Sequence, residues 1–589
     1  MTQFNVWAPF AETVAVHAIA PDRYVEMARD ERGYFSVAFE APAGTRYFYR
    51  LNDLVDRPDP ASRFQPEGVH GPSEVVDGAA YIWADGAWEA PTLKDYIIYE
   101  LHTGAFTEEG TFQSACGQLG RLGELGVTAI ELMPVAQFPG RRNWGYDGVF
   151  PFAVQASYGG PTELKRFIDS CHQKGLAVIL DVVYNHLGPE GNYLASFGPY
   201  FSKARTPWGG SLNFNGPNCE EVRRFFIENA LFWLEEFHLD ALRLDAVHAM
   251  PEDPKAPILK EMAFSVQALA AQTGRRKYLI AERNLHDPLL TAPTVQGGMG
   301  IDSQWCDDLH RCIHVAFTGE EEGEYAKFEG TKQLAQVLSF GFAYSRTYEA
   351  EDVSRVTPAP PSAFVAFTQN HDQVGNRPGG ERLSVLTGFE QLKTAAGLLL
   401  LAPFVPLLFM GEEYAETAPF YYFTDHSDVG LGDAVKRGRR RMFAAQHRSG
   451  RDPDPQAEDT FGRSRLGHAP DDAGESGVLQ HFYAELIQIR KRTADRIDRH
   501  PHVARAWEAH GQVVFLQRNS ETLDGLAVFN LGDQIYRDKG PGDGPIGQSS
   551  HGPWKLEINS ADERWLGQGI VSGGLRPKSF VFFTRERTG

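Results

Sequence analysis

Cysteine is scarce in this chain: Cys116, Cys171, Cys219, Cys306 and Cys312 are five in 589 residues, odd in number and scattered without ligand-like spacing. That excludes a disulfide framework and a cysteine zinc site, and it points to a reducing compartment. Positive charge is also short. With 57 Lys and Arg against 77 Asp and Glu, the net charge of -20 excludes the basic surface that a nucleic-acid partner requires. The one basic cluster, Lys436-Arg437-Gly438-Arg439-Arg440-Arg441, is expected to pair with nearby acids. No apolar run is long enough to span a membrane. The longest, around Ala395 to Met410, is interrupted by Pro403 and Pro406 and reads as a core helix followed by a strand. The start lacks the basic and apolar regions of a signal peptide, and no Gly-rich phosphate loop follows any expected strand. These absences describe a soluble, cytoplasmic protein with no nucleic-acid or membrane partner.

A chain of 589 residues is too long for one core. Residues 1–92 alternate in short runs such as Thr13–Ala18 and Tyr34–Phe39 between Gly, Pro and Asp turns, which predicts an N-terminal β-sandwich, immunoglobulin-like in the manner of glucan-binding modules. Residues 93–499 change to strand–helix alternation. Strands are expected at Tyr96–Leu101, Val127–Met133, Ala177–Val183, Ala241–Val247, Tyr278–Ala281, Ile301–Trp305, Ala363–Thr368 and Val405–Met410. Helices are expected at Phe112–Leu125, Thr162–Lys174, Val222–Phe237, Ile258–Ala271 and Phe482–Ala494. Eight strands mostly separated by helices predict an α/β fold, a closed (β/α)8 TIM barrel, rather than an open sheet. Residues 500–589 return to strands and predict a C-terminal β-sandwich.

Four stretches close expected strands: Asp181-Val-Val-Tyr-Asn-His186, Asp240-Ala-Leu-Arg-Leu-Asp245, Ala281-Glu282 and Asn370-His-Asp372. They deliver Asp245, Glu282 and Asp372 to one rim of the barrel. A single Asp at a strand end is ordinarily a helix cap or turn residue. Three carboxylates at separate strand ends are another matter, because ionised groups avoid burial unless paired or used. Strand periodicity puts Arg243 and Asp245 on one side, so the guanidinium favours an ionised Asp245, ready as a nucleophile. Glu282 follows an apolar run, and desolvation with nearby carboxylates predicts a raised pKa suited to a general acid. Asp372, beside His371, is expected to grip sugar hydroxyls. Two carboxyl groups in different protonation states are what breaking a glycosidic bond requires. The 12% aromatic content suits stacking on sugar rings as well as it suits large aromatic cores.

The four stretches resemble the motif regions of the α-amylase superfamily of retaining glycosidases and transglycosidases, and the resemblance covers the whole chain. It implies Asp245 as nucleophile, Glu282 as general acid/base and Asp372 as transition-state stabiliser. It further implies that Arg243, His186 and His371 bind the sugar preceding the cleaved bond, with Tyr146 of Asn143-Trp-Gly-Tyr-Asp-Gly148 as the stacking aromatic there. His248 is counted among the substrate contacts. Ala241 stands where many relatives have Gly.

Less general segments resemble the maltooligosyltrehalose trehalohydrolases within that superfamily: Glu131 to Asp147, Gln304 to His310, Phe409 to Tyr414, Tyr422 to His426 and Val435 to Arg439. Cys306 and Leu309 depart from the Asn and Phe expected there. That resemblance implies an α-glucan oligosaccharide substrate ending in trehalose, and a synthase that makes this end as functional partner. Trp208, Asp307, Asp308 and Glu413 are the candidates for selecting the trehalose end. A branching transferase uses the same carboxylates, and a non-catalytic glucan-binding protein keeps the same fold, so both stand as alternatives. No metal or cofactor is expected; Asn185 occupies a position that binds calcium in some relatives, without a convergent set of oxygen ligands around it.

Overall fold

The computed structural model describes residues 1–206, 208–251, 253, 256–343, 359–445, 453–467, 474–497, 504–537, 553–569 and 571–587. Eight parallel strands close on themselves in chain order: β1 (Ile98–Leu101), β2 (Ala129–Leu132), β3 (Ala177–Val182), β4 (Ala241–Leu244), β5 (Tyr278–Ala281), β6 (Ser303–Cys306), β7 (Phe364–Phe367) and β8 (Val405–Phe409). Around and above them lie α1 (Leu119–Leu125), α2 (Gly160–Gln173), α3 (Cys219–Glu236), α4 (Ile258–Thr273), α5 (Asp307–Thr318), α6 (Thr331–Phe340), α7 (Phe389–Leu400), α8 (Val429–Ala445) and α9 (Glu475–Ile497).

Side chains alternate in and out along each strand. Ile98, Ala129, Ile179, Ala241, Ile280, Val365 and Phe367 pack as one apolar plug inside the barrel. Ile130, Val178, Leu180, Leu242 and Leu279, of the opposite parity, join the shell between strands and helices. Two residues beyond the plug, on the same inward parity, come Glu100, Glu131, Asp181, Arg243 and Glu282. The barrel interior therefore changes from apolar to ionisable within one strand repeat, toward the strands' C-terminal ends.

Most expected elements are present with shifted ends. The single helix expected over Phe112–Leu125 is two, Phe112–Cys116 and α1, separated by the turn at Gly117 and Gln118. The fourth strand stops at Leu244 instead of Val247, because Ala246 adopts a left-handed φ of 41°. The sixth strand begins two residues later than expected.

The N-terminal domain pairs a three-stranded sheet with a five-stranded one and packs Trp7 edge-on to Tyr200 at 5.5 Å. In the C-terminal domain the described strands form one five-stranded antiparallel sheet, docked on α7 and α9. Gly397 makes that docking possible, since a Cβ there would lie 2.4 Å from the Phe580 ring. The boundary expected at 499/500 lies outside the described residues.

Candidate active site

Arg243 is the hub of the site. Its side chain is fully buried on β4, with the guanidinium over the Trp305 ring at 4.1 Å. Nη1 lies 2.7 Å from Asp181 Oδ2 and 2.8 Å from Asp245 Oδ1, and Nη2 lies 3.2 Å from Glu282 Oε2. The parallel register sets this up by placing Asp181 beside Arg243 on adjacent strands. One guanidinium thus touches the two carboxyl groups expected to do the chemistry.

Those two groups are held differently. Asp245 Oδ2 accepts a 2.6 Å bond from Asn185 Nδ2, which also donates to the Asp245 carbonyl at 2.8 Å. Glu282 Oε2 accepts the Ala246 backbone N–H at 2.6 Å, a donor freed by the left-handed turn that ends β4. Burial pushes the Glu282 carboxyl up to about 8; Arg243 opposes the rise, and Asp245, Asp372 and Asp307 add to it. Glu282 therefore keeps a proton at neutral pH while sharing an arginine with Asp245. The pair can offer an acid and a nucleophile to one bond.

Asp372 lies in the first turn of the short helix His371–Gly375, capped by Asn370, whose Oδ1 accepts the Asp372 N–H at 2.9 Å. Its side chain is 42% exposed, the most open of the three carboxylates. Beneath it, His371 Nδ1 meets Glu100 Oε1 at 2.5 Å and Nε2 meets the Tyr146 hydroxyl at 2.7 Å. The Tyr146 hydroxyl spends its own proton on Asp181 Oδ2 at 2.7 Å, so Nε2 must donate and His371 carries both protons. Burial alone would lower its pKa, but Glu100 and Asp372 raise it to about 9.

The structure brings Tyr146, His186, Arg243 and His371 together around this centre. The Tyr146 ring stacks on His371 at 5.3 Å, and His186 Nε2 meets the Tyr146 carbonyl at 3.0 Å. Trp208, 48% exposed, stacks on His186 at 5.7 Å and forms an aromatic edge to the site. His248 is exposed on the turn just after Asp245, and burial of part of its ring lowers its pKa. Asp307 is buried at the start of α5, close enough to Asp372 to interact, and burial raises it to about 6.

Two expected contacts face elsewhere. Glu413 is completely buried and pairs with Arg121 of α1 at 2.5 Å and the Tyr99 hydroxyl at 3.2 Å, so it ties the helix shell to the barrel instead of meeting a ligand. Asp308 turns to the Ala343 N–H at 2.9 Å and Arg311 at 3.0 Å, which anchors the chain after α6. Glu100, Glu131 and Asp181 also reach the site, none of them singled out by the motifs as a functional side chain, and Asn185 meets the nucleophile candidate where the resemblance suggested a calcium position. Their signal was a lone polar residue on the inward parity of an otherwise apolar strand, or just beyond its end. Asn185 spends its amide on Asp245, and among the described residues no cluster of His, Cys, Asp or Glu is arranged to hold a metal.

Comparison with known proteins agrees with this geometry. Residues 79–207 match the α-amylase catalytic-domain model, a span that contains β1 to β3 and His186. A malto-oligosyltrehalose trehalohydrolase of Saccharolobus solfataricus is 46% identical over 83% of this chain and 85% of its own. A 1,4-alpha-glucan branching enzyme of Geobacillus stearothermophilus is 30% identical over 70% of this chain and 67% of its own. A crystal structure from Salmonella typhimurium that carries the name alpha amylase superposes with a TM-score of 0.86 at 36% identity, covering 100% of this chain and 97% of that one. The identity is higher, and spread over more of both chains, for the trehalohydrolase than for the branching enzyme. The chain belongs to the malto-oligosyltrehalose trehalohydrolase family, glycosidases built on the α-amylase barrel.

Proposed function

We infer that the protein hydrolyses the α-1,4-glucosidic bond that joins a maltooligosaccharide to a terminal trehalose, releasing trehalose. Asp245 attacks the anomeric carbon as the bond to the trehalose O4 breaks, and Glu282 gives its proton to that oxygen. A glycosyl ester on Asp245 results. Glu282 then takes a proton from water, whose oxygen attacks the same carbon, frees Asp245 and leaves an α-configured reducing end. Asp372 binds hydroxyls of the distorted sugar, while Arg243, His186, His371 and Tyr146 line the subsite before the bond. The observation that carries this reading is the single guanidinium on both carboxyl groups, with Glu282 protonated up to about 8. It suits the short carboxyl separation, about 5–5.5 Å, of retaining glycosidases.

Trp208, at the exposed edge of the site, and Asp307, buried beside Asp372, are the residues this reading assigns to the trehalose end. Domain limits at 92/93 and 499/500, a cytoplasmic site of action, a role in trehalose biosynthesis, a synthase as functional neighbour and independence from metal belong to the same reading. Among the described residues no helix is long and apolar enough to cross a membrane. Incubation with maltotriosyltrehalose tests the reading: trehalose and α-maltotriose are the expected products, followed by proton NMR of the fresh anomer. New branch points in amylose without release of trehalose would assign the chain to glucan transfer instead.

A further inference from the structure

The basic run of α8 is not spent on acids alone. Lys436 pairs with Asp454, and Arg437 and Arg441 are exposed, but Arg439 turns inward between the rings of Tyr422 (4.7 Å) and Phe443 (4.8 Å). Its Nη2 donates to the Gly375 carbonyl at 2.6 Å and its Nη1 to Asn376 Oδ1 at 2.6 Å. Gly375 ends the short helix that carries His371 and Asp372, and Asn376 is its C-cap. A cation on the free carbonyls of a helix end is favourable.

The second bond matters more. The two ends of a carboxamide are nearly alike in shape and opposite in hydrogen bonding, so the partners decide which way it points. With Oδ1 committed to Arg439, Asn376 presents Nδ2 to Asp372 Oδ1 at 3.2 Å. Turned the other way, the amide would set oxygen against a carboxylate. Asp372 is 42% exposed, and among the described residues its ion-pair contact, His371 Nε2, is 3.6 Å away, so its orientation depends on the Asn376 amide. The helix itself is fixed independently. A Cβ on Gly375 would lie 2.0 Å from the Trp144 ring, and Arg377 makes two 2.8 Å bonds to Glu320.

We propose that Arg439 is a positioning residue that fixes the Asn376 amide so that it donates to, and orients, the Asp372 carboxylate. The proposal rests on the transition-state role assigned to Asp372 above. A double-mutant cycle on the full chain tests it. Arg439→Met and Asn376→Ala are each expected to lower kcat on maltotriosyltrehalose about 10- to 100-fold, the range for a hydrogen bond to a charged group, with KM nearly unchanged. The double variant is expected to be no worse than the weaker single, because both remove one interaction. Arg439→Lys should recover part of the rate. Asn376→Asp keeps the size and the pairing with Arg439 but turns an acceptor toward Asp372, and is expected to lose at least as much as Asn376→Ala. Losses that multiply in the double variant, or Asn376→Asp within twofold of wild type, would overturn the proposal. Should wild type cleave an α-glucan but release no trehalose, the substrate reading alone fails. The same cycle on that glucan then decides the role of Arg439.

Discussion

The barrel has a buried, doubly engaged histidine at each end, and the two ends use it differently. At the floor, where the linker from the N-terminal domain crosses, His172 of α2 lies 3.0 Å from Asp85 and 3.0 Å from Asp240, flat against Trp88 at 4.7 Å. Every carboxylate there is saturated. Asp85 also receives His238 at 2.8 Å and Arg275 at 3.0 Å, and Asp240 receives Trp88 Nε1 and the Val178 N–H. At the rim, His371 is held as tightly by Glu100 and Tyr146, but acids outnumber cations. Glu282 retains a proton, Asp372 opens to solvent, and both Glu131 oxygens lack a hydrogen-bond partner among the described residues. The same residue types give a staple where their hydrogen bonds close, and chemistry where valences stay open.

Removing a group at each end probes that contrast, and the largest effect is expected from the rim. Asp245→Asn should lower the rate of trehalose release on the order of 10^5-fold, as loss of a nucleophile does. Glu282→Gln should cost about 10^2- to 10^4-fold, less for an activated glycoside whose leaving group needs no proton. It should leave the melting temperature unchanged or higher, since it removes a buried acid crowded by Asp245 and Asp372. A lowered melting temperature would make the rim a structural network like the floor.

The floor should behave in reverse. His172→Gln leaves two buried carboxylates short of a partner, and is expected to cost about 3–5 kcal/mol in denaturant unfolding with kcat changed less than about twofold. Asp85 and Asp240 raise the His172 pKa against burial. Its stabilisation is therefore complete below the ordinary histidine value and lost as pH rises through the folded one. Wild type should melt progressively lower as pH rises above the ordinary histidine value of about 6.5, and His172→Gln should flatten that slope. A variant that keeps the full slope would remove His172 from the account.

Two milder effects complete the series. The acid role proposed for Glu282 requires its proton, so kcat/KM should fall above about 8, roughly tenfold per pH unit. A profile flat to pH 10 would mean that another group supplies the proton. Trp208→Ala, at the exposed edge of the rim, should raise KM about 2- to 10-fold with kcat preserved, the scale of one aromatic contact.

Much of the site was legible because strand periodicity is local. Whether Arg243, Asp245 or Glu282 points inward follows from counting two residues from an apolar neighbour, and eight such strands imply the barrel. Glu413 shows the limit. It lies just beyond β8, yet its partner Arg121 is 292 residues away, and nothing nearby signals that it faces the helix shell. Asn376 and Arg439 are hidden in the same way, by hydrogen bonds that join segments distant in sequence.

The chain alone thus points to the barrel, to three candidate carboxylates and to their order, since patterning and strand ends are written in neighbouring residues. Only tertiary structure decides which carboxylate keeps a proton, which histidine carries a proton on both ring nitrogens, and which acids are merely structural. Those outcomes depend on desolvation and on the closing of long-range hydrogen bonds, and neither exists until strands from residue 98 to residue 409 share one interior.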